Sequence, residues 1–200
     1  MTKERPESPR VRLFVALDLP DEVRAGVGEW AAEQLTDPKL RPVPAENLHL
    51  TLAFLGFRPE EEVGAIAEAV AESAGPAPLV ELGDAVPRPP RGRARVFALP
   101  AVSPGAELLQ AGLRERLVAG GFFEPEKRPF WPHLTVARVR PEGRGSRRPA
   151  FVAQPPGALP AWLREAFLGV RMTLYRSELK PEGARYVSLA QIELPGAGGG

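Results

Sequence analysis

Two short phrases hold every histidine in this 200-residue chain: His49-Leu50-Thr51-Leu52 and His133-Leu134-Thr135-Val136. By chance, a histidine is followed by leucine, threonine and an aliphatic residue well under about one time in a hundred. Two out of two is a pattern that needs a cause. In an extended strand side chains alternate, so His and Thr share one face while the aliphatic residues take the other. The imidazole and hydroxyl then stand about 6 to 7 Å apart at their Cα atoms, a span that suits two oxygens of one phosphate. Histidine titrates near pH 6.5, so one imidazole can take a proton while another gives one. In-line displacement at phosphorus needs that pair on opposite sides, and a strained 2′,3′-cyclic phosphate is a fitting substrate. The threonine hydroxyls would bind non-bridging oxygens, with an arginine opposing the developing charge.

A single histidine followed by Leu-Thr is more often structural, and a lone strand threonine usually reflects β-propensity. Duplication that uses both histidines reverses that weighting. A metal site is the other sharp reading. Two histidines are too few alone, and Glu46, three residues before His49, would face the opposite side of an extended strand. No metal or other cofactor is expected. Cysteine is absent, which removes disulfide frameworks, thiolate zinc sites and cysteine nucleophiles. A net charge of +1 argues against coating nucleic acid by bulk electrostatics. All but Lys3, Lys39, Lys127 and Lys180 of the 26 basic residues are arginine, whose planar fork suits phosphate. A GC-rich genome or a heat-tolerant host would give the same bias, so the clusters at 88–95 and 138–148 carry more information than the total.

These phrases need elements to hold them. Val11–Leu19 reads as a buried strand, and Pro20-Asp21-Glu22 starts a helix over about 20–36 with Val23, Val27, Trp30, Ala31 and Leu35 on its apolar face. The first phrase lies in a strand, Leu48–Leu55, which Gly56 closes. Pro59 and three glutamates open a second helix carrying Val63, Ile66, Ala67 and Val70. Strands follow at Leu79–Val86 and Ala94–Leu99. Ser103-Pro104 caps a third helix with Leu108, Leu109, Leu113 and Leu117 on its apolar side. The second phrase lies in the strand His133–Val139. Residues 141–149 form a mobile surface loop, a short helix surrounds Trp162, and strands at Val170–Leu179 and Arg185–Leu194 flank the turn Lys180-Pro181-Glu182-Gly183. An Arg-Pro step precedes each phrase, Arg41-Pro42 and Arg128-Pro129. The phrases are 84 residues apart, too long for a solenoid unit, so two related lobes facing each other fit better. The expectation is an α+β fold in one domain over 11–194, with a disordered tail at 1–10 and a flexible one at 195–200. No stretch resembles a signal peptide or a membrane span, so a cytoplasmic protein is the default.

The residues resemble a known family, the two-histidine (HxTx) phosphoesterases, and within it the bacterial RNA 2′,3′-cyclic phosphodiesterases, also called LigT-like proteins or 2′-5′ RNA ligases. The likeness runs from Arg12 to about Leu194. Its landmarks are residues 12–17, 46–52 followed by Phe54-Leu55-Gly56, 128–138, Leu174-Tyr175-Arg176-Ser177 and Arg185-Tyr186. It implies a bilobal α+β fold with two antiparallel sheets, each backed by helices, and a pseudo-two-fold cleft holding the substrate. It implies no metal requirement. His49 would be the proton donor to the leaving O3′, His133 the proton acceptor that activates water, and the product a 2′-phosphomonoester. Thr51 and Thr135 would bind the phosphate and Arg138 would face it. Arg138 lies five residues after His133, so a bend or bulge must turn it to that face. Phe14, Arg128, Trp131 and Tyr175 lie in landmark segments and are carried as substrate-binding candidates. Trp131 stands where a histidine is common, with base stacking and a buried anchor as its two readings. The partner would be RNA with a 2′,3′-cyclic phosphate end, tRNA fragments among them, or a small cyclic nucleotide, met by a monomer. Ligation by reversal stays open, as do two alternatives: a relative acting on ADP-ribose cyclic phosphate or 2′-5′ oligoadenylate, and a non-catalytic RNA-end binder.

Overall fold

The computed structural model describes residues 9–125, 128–180 and 183–196. The tail expected at 1–10 falls outside them except for residues 9 and 10, as does the last tail beyond 196. The middle of the expected 180–183 turn is also outside. The described strands are β1 (Arg10–Asp18), β2 (Leu40–Pro42), β3 (Leu50–Pro59), β4 (Leu79–Leu82), β5 (Val86–Arg88), β6 (Val96–Val102), β7 (His133–Val139), β8 (Phe167–Leu168), β9 (Arg171–Lys180) and β10 (Gly183–Glu193). The helices are α1 (Asp21–Gln34), α2 (Val63–Glu72) and α3 (Pro104–Ala119). The class is α+β, as expected. Where two strands were expected around residues 79–99 there are three, because the Pro- and Arg-rich stretch contributes the short β5.

All the named strands join one antiparallel path, β10-β9-β1-β3-β7-β6-β4-β8, with β2 added to β7 and β5 to β6. The path narrows in its middle. β3 and β7 pair through one residue couple, Leu50 with Leu134, whereas β1 and β3 pair along most of their length. Where two sheets were expected the strands form one; a division into two halves is compatible with the pairing at this couple, its narrowest link. The approach to the first phrase also crosses it: Arg41 pairs with Arg138 in β7, and the Val43 amide donates to the Val136 carbonyl at 2.8 Å.

Two local departures from strand regularity matter for the site. In β7 the register against β6 jumps from Phe97↔Ala137 to Ala98↔Thr135, leaving Val136 as an extra residue. Val136 and Ala137 are both fully buried, so alternation resumes one residue late. In β3 the register against β1 jumps from Val15↔Ala53 to Ala16↔Thr51, leaving Leu52 extra. A second jump sits at Gly56, whose φ of +69° is the left-handed conformation glycine adopts freely. Gly56 therefore does not close the strand as expected; it bends it, and β3 runs on to Pro59.

The helices cover the side of the sheet that carries the leucines. α1 follows Pro20, has Asp21 and Glu22 in its first turn, and buries Val23, Val27, Trp30 and Ala31. α3 is capped by Ser103, whose Oγ accepts from the Ala106 amide at 3.1 Å. It buries Leu109, Leu113 and Leu117 at four-residue spacing. Leu108 was expected on that stripe and is 76% exposed instead, since one residue is a 100° turn away from Leu109. One continuous apolar cluster runs through both halves and includes Leu50 and Leu134. Among the described residues no helix is long and apolar enough to cross a membrane.

Candidate active site

The single Leu50↔Leu134 couple fixes the four polar side chains. Both leucines are fully buried, so their neighbours His49, Thr51, His133 and Thr135 face the other way, into the cleft. Continuing the antiparallel register by one residue in each direction sets His49 opposite Thr135 and Thr51 opposite His133. The histidines therefore take diagonal corners of a quadrilateral and the threonines the other two. Cross-strand neighbours of this kind lie about 4.5 to 5.5 Å apart at Cβ, so a tetrahedral group at the centre meets an imidazole from each side.

Each ring is oriented the same way. Nδ1 of His49 lies 2.7 Å from the Asn47 carbonyl and Nδ1 of His133 lies 2.7 Å from the Trp131 carbonyl. A carbonyl only accepts, so each Nδ1 carries the hydrogen and donates it, leaving Nε2 as the nitrogen that can accept a proton. Thr51 Oγ1 is 3.1 Å from Nε2 of His49 and donates to it when that ring is neutral.

The surroundings of the two rings differ. His49 stacks on Phe14 (centroids 4.9 Å, 29°) with Tyr186 edge-on at 5.4 Å. Phe14 stacks in turn on Tyr175 at 5.2 Å, and the Tyr175 hydroxyl donates to Asp18 Oδ1 at 3.0 Å. His133 stacks on Trp131 at 4.2 Å and 14°, and the Arg88 guanidinium lies 3.7 Å from the Trp131 ring centroid. Burial pushes the His49 imidazole down to about 4, opposed by the Asn47 carbonyl and the Asp18 charge. His133 is also lowered, first by burial and then by the Arg88 charge, against the Trp131 carbonyl. Tyr175 is pushed up to about 12 by burial and by Asp18.

The cleft holds about 980 Å³, the size of a nucleotide-scale site. Arg12, Arg41, Arg138, Lys180 and Arg185 line it, with Glu46 the one carboxylate among its described lining residues. The β7 bulge delivers Arg138 to the same face as His133 and Thr135. Phe14 reaches the cleft wall yet is only 3% exposed, its ring taken up by His49, Tyr175 and Tyr186. Tyr175 is behind Phe14 and not among the lining residues, so its hydroxyl serves Asp18. Arg128 is exposed and off the cleft. Trp131 supports His133. Among the described residues no three His, Cys, Asp or Glu side chains gather as a metal site.

Sequence reasoning gave no site role to Asp18 or Arg88, nor to Phe54 and Tyr186, which entered only as landmarks of the resemblance. Asp18 carried one signal, a lone acid ending an apolar strand, and Arg88 another, its place in the 88–95 cluster.

A model of the family described as "LigT like Phosphoesterase" matches residues 17–97. The chain is 36% identical over 197 residues to an RNA 2′,3′-cyclic phosphodiesterase of Thermus thermophilus, covering 94% of this chain and 93% of that one. It is 34% identical over 188 residues to an RNA 2′,3′-cyclic phosphodiesterase of Escherichia coli, covering 92% and 96%. The crystal structure of E. coli LigT complexed with 3′-AMP superposes with a TM-score of 0.72 at 32% identity, over 94% of this chain and 99% of that one.

Proposed function

The chain belongs to the LigT-like phosphoesterases of the two-histidine superfamily, and on that premise we propose that it is an RNA 2′,3′-cyclic phosphodiesterase that opens the cyclic phosphate to a 2′-phosphomonoester. The observation that carries this reading is the diagonal of His49 and His133 across the Leu50↔Leu134 couple, which supports an acid and a base working from opposite sides of one phosphate. His133 Nε2 takes a proton from water as the water oxygen attacks phosphorus. The P–O3′ bond breaks, and the Nε2 proton of His49 passes to O3′, leaving a 3′-hydroxyl and a 2′-phosphate. Thr51 and Thr135 hold the non-bridging oxygens, and Arg138 opposes the charge that builds on them. Binding of 3′-AMP by a relative 32% identical supports a nucleotide in the cleft.

The free cleft disfavours an imidazolium at His49, and the substrate reverses that. A phosphodiester anion about 4 Å away, at an effective dielectric of about 20, is worth about 4 kcal/mol, or about 3 pH units. It lifts His49 from about 4 towards neutrality. Mutual repulsion between the two rings then favours one shared proton, which is the state acid–base catalysis requires. Both histidines come from one chain, so a monomer suffices. RNA ends such as tRNA fragments fit the cationic cleft, and the cytoplasm is the compartment this substrate implies.

The reading is tested with a 2′,3′-cyclic mononucleotide in EDTA. His49→Ala and His133→Ala each lower kcat by about 10²- to 10⁴-fold, wild type keeps its rate with the chelator, and the product is the 2′-phosphate. Near-normal turnover in both variants would end the two-histidine reading.

A further inference from the structure

We propose that Asp18 and Arg88, two charges that never touch the phosphate, act as positioning residues that decide which histidine holds the shared proton. The inference rests on the two-histidine reading above. Each working imidazole is backed by aromatic rings that end in a fixed charge, and the two charges have opposite sign. Behind His49 the order is Phe14, Tyr175, Asp18. Behind His133 it is Trp131, Arg88.

Both charges are built in. Asp18 is 4% exposed and accepts from Tyr175 at 3.0 Å, Thr173 at 2.8 Å and Arg171 at 3.1 Å. Those three donors fix the carboxyl group in place. Arg171 partly offsets its field, but Arg171 also pairs with Glu193 at 3.1 Å, so the anion is not cancelled. Arg88 keeps a buried Nε with no hydrogen-bond partner. A buried donor left unpaired is costly and needs a reason, and the ring face under this guanidinium supplies one. An anion behind His49 favours its imidazolium, and a cation behind His133 favours its neutral form. Tyr175, Tyr186, His133 and Arg138 are the other groups closest to His49 among the described residues, and Glu46, Arg12, Arg41 and Arg185 line the same cleft; for His133, Arg88 is the charge that acts.

Burial works against this bias in the free protein, because His49 is the more deeply packed ring. Substrate changes that balance. Once a nucleotide covers both rings, the difference in hydration narrows while Asp18 and Arg88 remain. The acid on the O3′ side and the base on the water side are then set by charges outside the repeated phrase itself.

The chain's two histidines give two ring signals, so NMR of ring-labelled protein saturated with 3′-AMP, which covers both rings and is not a phosphodiester, reads each midpoint without turnover. In wild type His49 titrates above His133 in that complex. Asp18→Asn lowers the His49 midpoint by on the order of one pH unit and leaves His133 in place. Arg88→Gln raises the His133 midpoint, and Arg88→Lys restores it. If Asp18→Asn does not fold, Arg171→Gln is read instead, and unmasking the carboxylate raises the His49 midpoint. Each charge change also lowers kcat on the cyclic nucleotide by on the order of tenfold. Midpoints that stay put in the folded variants, or a wild-type order with His133 above His49, overturn the proposal. Full activity of the histidine-to-alanine variants would instead sink the catalytic reading, and the titrations would still stand as a separate result.

Discussion

The strand after His49 and the strand after His133 break at the same place. Each runs His, aliphatic, Thr, then two consecutive buried residues, Leu52-Ala53 in one and Val136-Ala137 in the other. Each has its register jump there. The extra residue swings the fifth position after the histidine back into the cleft, and at that position the halves part company. One presents Phe54, 56% exposed, and the other Arg138. Repetition of the backbone with divergence of one side chain teaches how a near-symmetric cage can do asymmetric work. The shared bulge supplies a position, and its occupant supplies either an apolar ring or a cation.

The sharpest way to break this comparison is to remove both occupants separately. Arg138→Ala deletes the cation expected to oppose charge on the phosphate oxygens, so kcat falls by about 10²- to 10³-fold with a smaller change in KM. Phe54→Ala deletes an apolar platform, so KM rises roughly tenfold, in line with about 1 to 3 kcal/mol for one stacked base, and kcat changes little. Steady-state kinetics on one cyclic nucleotide separates the two. Equal losses of kcat from both variants would mean that the bulge positions act together and not as cation and ring.

A second difference between the halves is how strongly each fold resists protonation of its histidine. His49 is lowered from 6.5 to about 4 in the folded chain, so between these values the unfolded chain binds more protons. Stability therefore rises with pH through that window, is complete above about 6.5 and is lost as pH falls towards 4. That difference is worth on the order of a few kcal/mol. His49→Gln should flatten most of this acid slope in urea unfolding followed from pH 7 to 4. His133→Gln should flatten less of it, because that ring is the less deeply buried of the two. The reverse order would place the deeper burial at the wrong histidine.

The parts legible in the sequence were the local ones. His and Thr at alternate positions fix a shared face wherever the strand goes, and the odd offset of Arg138 demanded the bulge that β7 has. Helix limits at Pro20 and Ser103 followed from caps and acids. What did not show was pairing across distance. Tyr175 reads as one more aromatic in a landmark segment until β9 sets it beside Phe14, which sends its hydroxyl to Asp18. Arg88 is one of several arginines in a loop-like stretch until a three-residue strand lays it on Trp131. The seam at Leu50 and Leu134 depends on two strands 84 residues apart, and no periodicity in either one specifies the other.

Gly56 offers the finest test of the comparison, because only the first half has this second break. Its φ is +69° and a Cβ there would meet nothing within 4 Å. Gly56→Ala therefore adds backbone cost and no clash, about 1 kcal/mol for a left-handed non-glycine residue, which is about 2 to 4 °C in Tm for a chain of this size. Between Gly56 and His49 lies the Leu52 bulge, at the last residue of the phrase, where alternation is reset. A bend relaxed at Gly56 should then be absorbed along Phe57 to Pro59 and lower Tm while leaving the His49 ring stacked on Phe14. The histidine ring signals report that directly: a shifted His49 resonance with an unshifted His133 would show that the two breaks in β3 are mechanically one, and that the first half holds its imidazole less independently than the second.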